Sequence, residues 1–205
     1  MSAPTTKERI LAEATRQLPK VGYAAFTLTA VREALGLSSG SLFHAYASKP
    51  ALAAAVYVEG IAAYQAEALA EIRRQRDARQ ALRALVAVHL GWVEDHRELA
   101  RYLFATMPDE VMAAADAPLA ARNKAFYAEI KALFERAAAA DLMAPLDRVT
   151  AYALSIGPAH DYCRHWANGR AQIKPRQLSP MFEDAALAAL ASTRVSTSRK
   201  QTRTA

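Results

Sequence analysis

Apolar residues recur along this chain at intervals of three and four, the pattern of helices that each bury one face. Over Thr6 to Leu18, Ile10, Leu11, Ala14 and Leu18 share a side, with Lys7, Arg9 and Arg16 outside it. Pro19 lacks a backbone N–H and Gly22 suits a turn, so the helix is predicted to end there. Leu28, Val31 and Leu35 mark a short second helix, with Thr27 as N-cap and Gly36 as its left-handed stop. Leu37 returns to the core and Ser38 caps a third helix, about Ser39 to Ala45. It carries Leu42 inward and leaves Ser39, Gly40, Ser41, Phe43 and His44 outward. Ser48 caps the next helix, which takes Lys49 and Pro50 in its first turn and continues to about Arg74. Leu52, Val56, Ala63, Tyr64, Leu69 and Ile72 are its apolar positions.

The remaining chain repeats this pattern. A helix from Ala78 to His96 turns Leu82, Leu85, Val86, His89, Leu90 and Val93 inward, and a shorter one covers Glu98 to Met107. Another starts at Pro108 and Asp109 and is interrupted near Pro118. Its main part is Leu119 to Ala140, with a stripe of Phe126, Ile130, Leu133, Phe134 and Ala137. The sharpest stripe lies between Asp147 and Asn168: Val149, Tyr152, Ala153, Ile156, His160, Cys163 and Ala167, with a kink expected at Gly157-Pro158. The last helix spans about Ser179 to Ala191. No useful run alternates apolar with polar, so the predicted class is all-α.

Three segments follow from this pattern. Residues 1–48 form an N-terminal helical domain with a helix-turn-helix over 27–46, whose packing extends to about residue 61. Residues 49–191 form a C-terminal helical domain. Residues 192–205 hold Arg194, Arg199, Lys200 and Arg203 without an acid, a tail expected to be disordered.

The stretch from Thr27 to Lys49 carries the functional argument. A helix enters the major groove only behind small leading side chains. Ser38, Ser39, Gly40 and Ser41 are small, and their hydroxyls suit base edges or phosphates. Thr27, Thr29, Arg32, Phe43 and His44 complete the candidate DNA face, with Tyr46 and Lys49 as expected phosphate contacts. The net charge of +6 over 205 residues favours a polyanion modestly. Read from the turn alone, a helical hairpin of some other globular protein fits equally well.

Ile10-Leu11, Gly22-Tyr23, Thr27, Gly36, Gly40, Leu42-Phe43 and Tyr46 through Ser48-Lys49 resemble the DNA-binding domain of the TetR family of bacterial transcription regulators. The resemblance covers roughly Thr6 to Ile61 without gaps. It implies a three-helix DNA-binding domain, a helical domain for ligand binding and dimerisation, and repression relieved by a small molecule. Thr29, Arg32 and Ser39 depart from the residues common in that family, which bears on the operator sequence and not on the fold. Pro19 near the end of the first helix is also unusual.

Other chemistry is sparse. The single Cys163 excludes an intrachain disulfide and a multi-cysteine metal site. His160, Asp161, Cys163 and His165 look like a cluster, but only His160 and Cys163 have same-face helical spacing. No metal site and no cofactor is expected, and the chain is not expected to be an enzyme. An enzyme built on that cluster is the rival from another class. A DNA-binding regulator without a small-molecule inducer, or an activator, is the nearer alternative. Trp92, His96, Tyr102, Phe104, Met107, Met112, Phe126, Tyr127, Tyr152, His160 and Trp166 are the aromatic and thioether candidates for an effector pocket. Tyr152, Ile156, Cys163 and Leu187 are candidates for a dimer interface. The expected partners are a palindromic operator in double-stranded DNA, a second copy of the chain and a hydrophobic or aromatic effector. No signal peptide or membrane span stands out, so a soluble, cytoplasmic protein is expected.

Overall fold

The computed structural model describes residues 3–201, with side chains as far as Arg194. It is built from ten α-helices and one short 3-10 turn, and no strand occurs among the described residues. The helices are α1 (Thr6–Ala25), α2 (Leu28–Leu35), α3 (Ser39–Ala45), α4 (Lys49–Arg74), α5 (Ala78–Asp95), α6 (Arg97–Leu103), α7 (Asp109–Ala139), α8 (Arg148–Ser155), α9 (Gly157–Ala167) and α10 (Ser179–Gln201). They form two compact units. Unit 1 is the chain up to Ala63 with Glu98–Arg122; unit 2 is Tyr64–Arg97 with the chain from Asn123 on. The division is therefore not a single cut of the chain, and α4 and α7 each contribute to both units.

In unit 1, caps set the helix ends. Thr5 accepts from the Glu8 N–H at 3.2 Å, while the Glu8 carboxylate accepts from the Thr5 N–H at 2.7 Å, a reciprocal capping box. Pro19 does not end α1. The helix continues through it, and the break comes at Gly22, whose φ of 76° and ψ of 163° are open essentially to glycine alone. One missing backbone donor was not enough to stop a helix whose Ile10, Ala14, Leu18 and Pro19 are all buried. Phe26, Val31, Leu42, Leu52 and Val56 complete this core. From α6, Tyr102 donates to the Ala53 carbonyl at 3.0 Å and Arg101 to the Pro19 carbonyl at 3.1 Å.

In unit 2, α5 is the central element, packed by α9, α10 and the 3-10 turn Pro175–Leu178. Leu82, Leu85, Val86, His89, Leu90 and Val93 are buried, the face that the periodicity predicts. Ion pairs tie the rim: Arg83 with Glu183 and Asp184, and Arg176 with Asp95. Arg97 donates to the Ala167 and Trp166 carbonyls, closing the end of α9. The stripe from Asp147 to Asn168 is two helices rather than one kinked helix. Ile156 separates α8 from α9, and Pro158 sits in the first turn of α9, where its missing N–H costs nothing. Pro118, by contrast, lies within a continuous α7. The backbone of α10 runs past Ala191 to Gln201, so most of the tail expected to be disordered is helical; residues 202–205 lie outside the described residues.

Candidate nucleic-acid interface and buried aromatic cluster

The helix-turn-helix is fixed by local chemistry. The Thr27 hydroxyl accepts from the Ala30 N–H at 3.2 Å. Gly36 ends α2 at φ 62°, and the Leu37 N–H returns to the Arg32 carbonyl at 3.0 Å. Ser38 then caps α3 by accepting from the Ser41 N–H at 3.2 Å. Buried Val31 and Leu42 pin the two helices to the unit 1 core. The outcome is a short helix whose Ser39, Gly40, Ser41, Phe43 and His44 face solvent. Phe43 is 52% exposed, a large apolar ring left in water. Thr27, Thr29 and Ser38 are exposed on the same motif, and Arg32 is half-buried and paired with Glu33 at 3.1 Å.

Tyr46 and Lys49 lie differently from the expected phosphate contacts. Tyr46 is only 7% exposed and lines a cleft of about 320 Å³ with Lys7, Ala54, Val58, Glu59 and Arg122. Burial first, and then the Glu59 charge, raise its hydroxyl pKa. Lys49 folds back, with Nζ donating to the Ala24 carbonyl at 3.3 Å and sitting 4.5 Å above the Tyr23 ring. Tyr23 in turn donates to Glu110 at 2.5 Å. Burial and this acceptor push its phenol up to about 12, so it stays a donor. Lys49, Tyr23 and Glu110 therefore tie the end of α1 and the start of α4 to the start of α7, all within unit 1. Sequence spacing gave no sign of Glu110, because the contact depends on how α7 returns to the headpiece.

The pocket candidates separate into groups. Trp92, Phe126, Tyr152 and His160 meet inside unit 2, around Tyr64 and His89. The Tyr64 ring centroid lies 5.5 Å from both His89 and Trp92 and 6.4 Å from Phe126. His89 stacks on His160 with centroids 5.4 Å apart. The Tyr64 hydroxyl is 3.1 Å from His89 Nδ1 and also hydrogen-bonds Tyr152. Burial, helped by His160, lowers the His89 pKa to about 3, so its ring is neutral. His89 Nε2 and Trp92 Nε1 are buried with no protein partner. Periodicity placed Tyr64 and His89 inward, but only as core positions. A histidine on an otherwise aliphatic face was the available signal.

The other candidates lie elsewhere. Tyr102 and Met107 are buried in unit 1, which also holds Phe104 and Met112. His96 is exposed, 4.8 Å from the Trp92 ring and 3.8 Å from Glu67. Tyr127 is exposed with Arg148 above it at 4.0 Å, and Arg97 lies 4.7 Å from the ring of buried Trp166. Of the dimer candidates, Ile156 and Cys163 are fully buried within their own chain, so the structure puts them in the protomer core; Tyr152 and Leu187 are half-buried. The cluster on α9 disperses. His160 turns inward against His89, burial raises the Cys163 thiol to about 12, and His165 pairs with Asp161 at 3.6 Å on the surface. No group of three metal-ligating side chains occurs among the described residues, and none of their helices is long and apolar enough to cross a membrane.

A capped helix-turn-helix within a helical headpiece, followed by a larger helical unit, defines the class of helix-turn-helix transcription regulators. Residues 10–56 match the family model for bacterial regulatory proteins of the tetR family. That match covers the helix-turn-helix and the helices around it, and the whole fold is shared with solved TetR-family regulators. A tetR-family regulatory protein from Rhodococcus RHA1 is 22% identical, covering 92% of this chain and 98% of that one, with a TM-score of 0.67. The fatty acid degradation regulator FadR from Bacillus halodurans is 14% identical over 91% of this chain and 97% of its own, at TM-score 0.74. FadR from Bacillus subtilis, solved in complex with stearoyl-CoA, is 13% identical over 88% and 97%, at TM-score 0.72. No curated protein matches the sequence. The N-terminal match and the shared fold are those of transcription regulators.

Proposed function

We propose that the chain is a homodimeric repressor that holds a palindromic operator through α3 of each copy and releases it when unit 2 takes up a small hydrophobic or aromatic effector. The outward face of α3 carries the DNA half of this reading. Its leading Ser39, Gly40 and Ser41 allow close approach to base edges, and exposed Phe43 suits a thymine methyl. Thr27, Thr29, Ser38 and Arg32 supply further polar contacts, and most such contacts go to phosphates. Six Lys and Arg against three Glu in the first 49 residues give the headpiece a cationic bias. With Lys49 turned inward, long-range attraction falls to Lys7, Arg9, Arg16 and Lys20. For the dimer, half-buried Leu187 and Tyr152 and the exposed Met181 on α10 are the apolar groups that a second copy would cover. The stearoyl-CoA held by the Bacillus subtilis protein supports a hydrophobic effector here.

The test is a gel-shift titration against the DNA upstream of the chain's own coding sequence, repeated at several salt concentrations. A complex holding two copies is expected, with log K falling linearly against log salt. A folded protein that retains no DNA at low salt sinks the reading.

A further inference from the structure

The inference rests on the reading that unit 2 receives an effector, and it names the chemistry of that molecule. Two polar atoms in the aromatic cluster are unexplained. His89 is 3% and Trp92 4% exposed, yet His89 Nε2 and Trp92 Nε1 have no partner. They lie at i and i+3 on α5, and both rings meet Tyr64 edge-on at 5.5 Å. Buried indole N–H groups ordinarily find an acceptor, and an orphan is costly. The other polar atom of the histidine is already used, since Nδ1 is engaged by the Tyr64 hydroxyl at 3.1 Å. Two nitrogens one helical turn apart on α5 are therefore left without a protein partner.

We propose that His89 Nε2 and Trp92 Nε1 are the polar anchor for an uncharged aromatic effector bearing a hydroxyl or carbonyl oxygen. An indole only donates, so the anchored atom must accept. The histidine nitrogen is a donor or an acceptor according to its tautomer, and a hydroxyl satisfies either state because its oxygen accepts while its proton can be given. The rest of the cluster, Phe126, Tyr152 and His160 with Tyr64, offers ring faces and edges to an aromatic body. Charge is disfavoured. Burial holds the His89 ring neutral and the Tyr64 and Tyr152 phenols stay protonated, while the two arginines that act on the cluster are already engaged, Arg148 over the Tyr127 ring and Arg164 with Asp161, so none of the cluster's own groups offers a carboxylate a positive charge. The site thus selects for a neutral oxygen on a ring and against both the bare hydrocarbon and the anion.

The full-length protein, free of DNA, tests this with three probes of one size: p-cresol, toluene and benzoate. The readout is the indole N–H resonance of Trp92 in a proton–nitrogen correlation spectrum, assigned by its loss in Trp92→Phe, with affinity taken from the same titration. p-Cresol is expected to move that resonance downfield as the orphan donor gains an acceptor. It is expected to bind about tenfold tighter than toluene, the return on pairing a buried polar group. Benzoate is expected not to bind. Toluene binding as tightly as p-cresol overturns the proposal, as does a Trp92 signal that no neutral probe moves. So does stearoyl-CoA shifting Trp92 where p-cresol does not, which would replace the class of effector. Because the probes are read without DNA, a p-cresol complex that leaves operator affinity unchanged refutes the release mechanism and not the anchor. Conversely, a repressor released by some other molecule, with Trp92 silent to p-cresol, keeps the function and loses the anchor.

Discussion

His89 makes a prediction that belongs to one residue. Its native pKa is lowered from 6.5 to about 3, chiefly by burial. Between those values the unfolded chain binds a proton that the native chain refuses. Stability must therefore fall as pH falls through that window, with a slope approaching about 1.4 kcal/mol per pH unit. Burial lowers the His160 value too, so it adds to the same trend. Carboxylates such as Asp95, held low by Arg176, give way only below their ordinary value of 3.8, so mild acid isolates the histidines. Urea unfolding at about pH 7.5 and about pH 5 should show a loss of stability in the wild type and a smaller loss in His89→Phe. Equal losses in the two proteins would mean that His89 is not buried as a neutral ring. Lys49 carries a second prediction. Its ammonium serves the Ala24 carbonyl and the Tyr23 ring, so Lys49→Ala should cost about 1 kcal/mol of stability. It should leave the salt slope of DNA binding nearly unchanged. A slope lower by about one per copy would instead show that Lys49 swings out to a phosphate.

At the scale of elements, α3 separates folding from recognition. A Cβ added at Gly40 meets only the Ser38 Oγ, at 4.0 Å, so the fold has room for alanine there. Alanine is also the better helix former, so Gly40→Ala should leave stability unchanged or raise it by up to about 1 kcal/mol. Close approach to base edges is another matter, and the same methyl should weaken operator binding about tenfold or more. Thermal melting and gel shifts on one preparation decide this. A variant that binds as well as the wild type would place some other surface in the groove. The helix-turn-helix was legible in the sequence because each of its boundaries is a local event: Thr27, Gly36 and Ser38 act on backbone groups within four residues of themselves. Elements that depend on distant contacts were not legible in this way. Tyr46 follows α3 as an outward phosphate ligand would, but contacts from α1, α4 and α7 turn it into a cleft. Pro19 reads as a stop, yet the buried face of α1 carries the helix through it to Gly22. The stripe on α8 and α9 was right for Ile156, Cys163 and Ala167, but it missed the break at Ile156 and put the wrong face of α8 inward: Val149 and Ala153 are exposed, and Ala151 and Ser155 are buried. Periodicity put His89 inward without showing that Tyr64 would take one of its nitrogens and leave the other free.

At the scale of the whole molecule the question is how unit 2 speaks to the headpiece. The chain passes between the units within α4, at Arg97–Glu98 in the first turn of α6, and within α7; α4 and α7 are unbroken helices that belong partly to each. A helix is a stiff link, so an effector that displaces either of them inside unit 2 has a covalent route to the unit that holds α3. In a dimer, two recognition helices must enter successive major grooves roughly 34–36 Å apart, and a small pivot costs operator affinity. Thermodynamics constrains this switch more tightly than geometry does. An effector can weaken DNA binding only through its preference for the shape that does not bind, and DNA must weaken effector binding by the same factor. The whole protein can therefore be tested from either end. With p-cresol as the probe, its affinity is measured by titration with and without a saturating operator duplex, and operator affinity is measured with and without saturating p-cresol. Both ratios should agree and fall within about 5–150-fold, the usual range of coupling. A Trp92 signal that reports tight p-cresol binding, with the same affinity on and off the operator, would show that the aromatic cluster binds but does not signal, and that the molecule bound in unit 2 has no hold on the DNA.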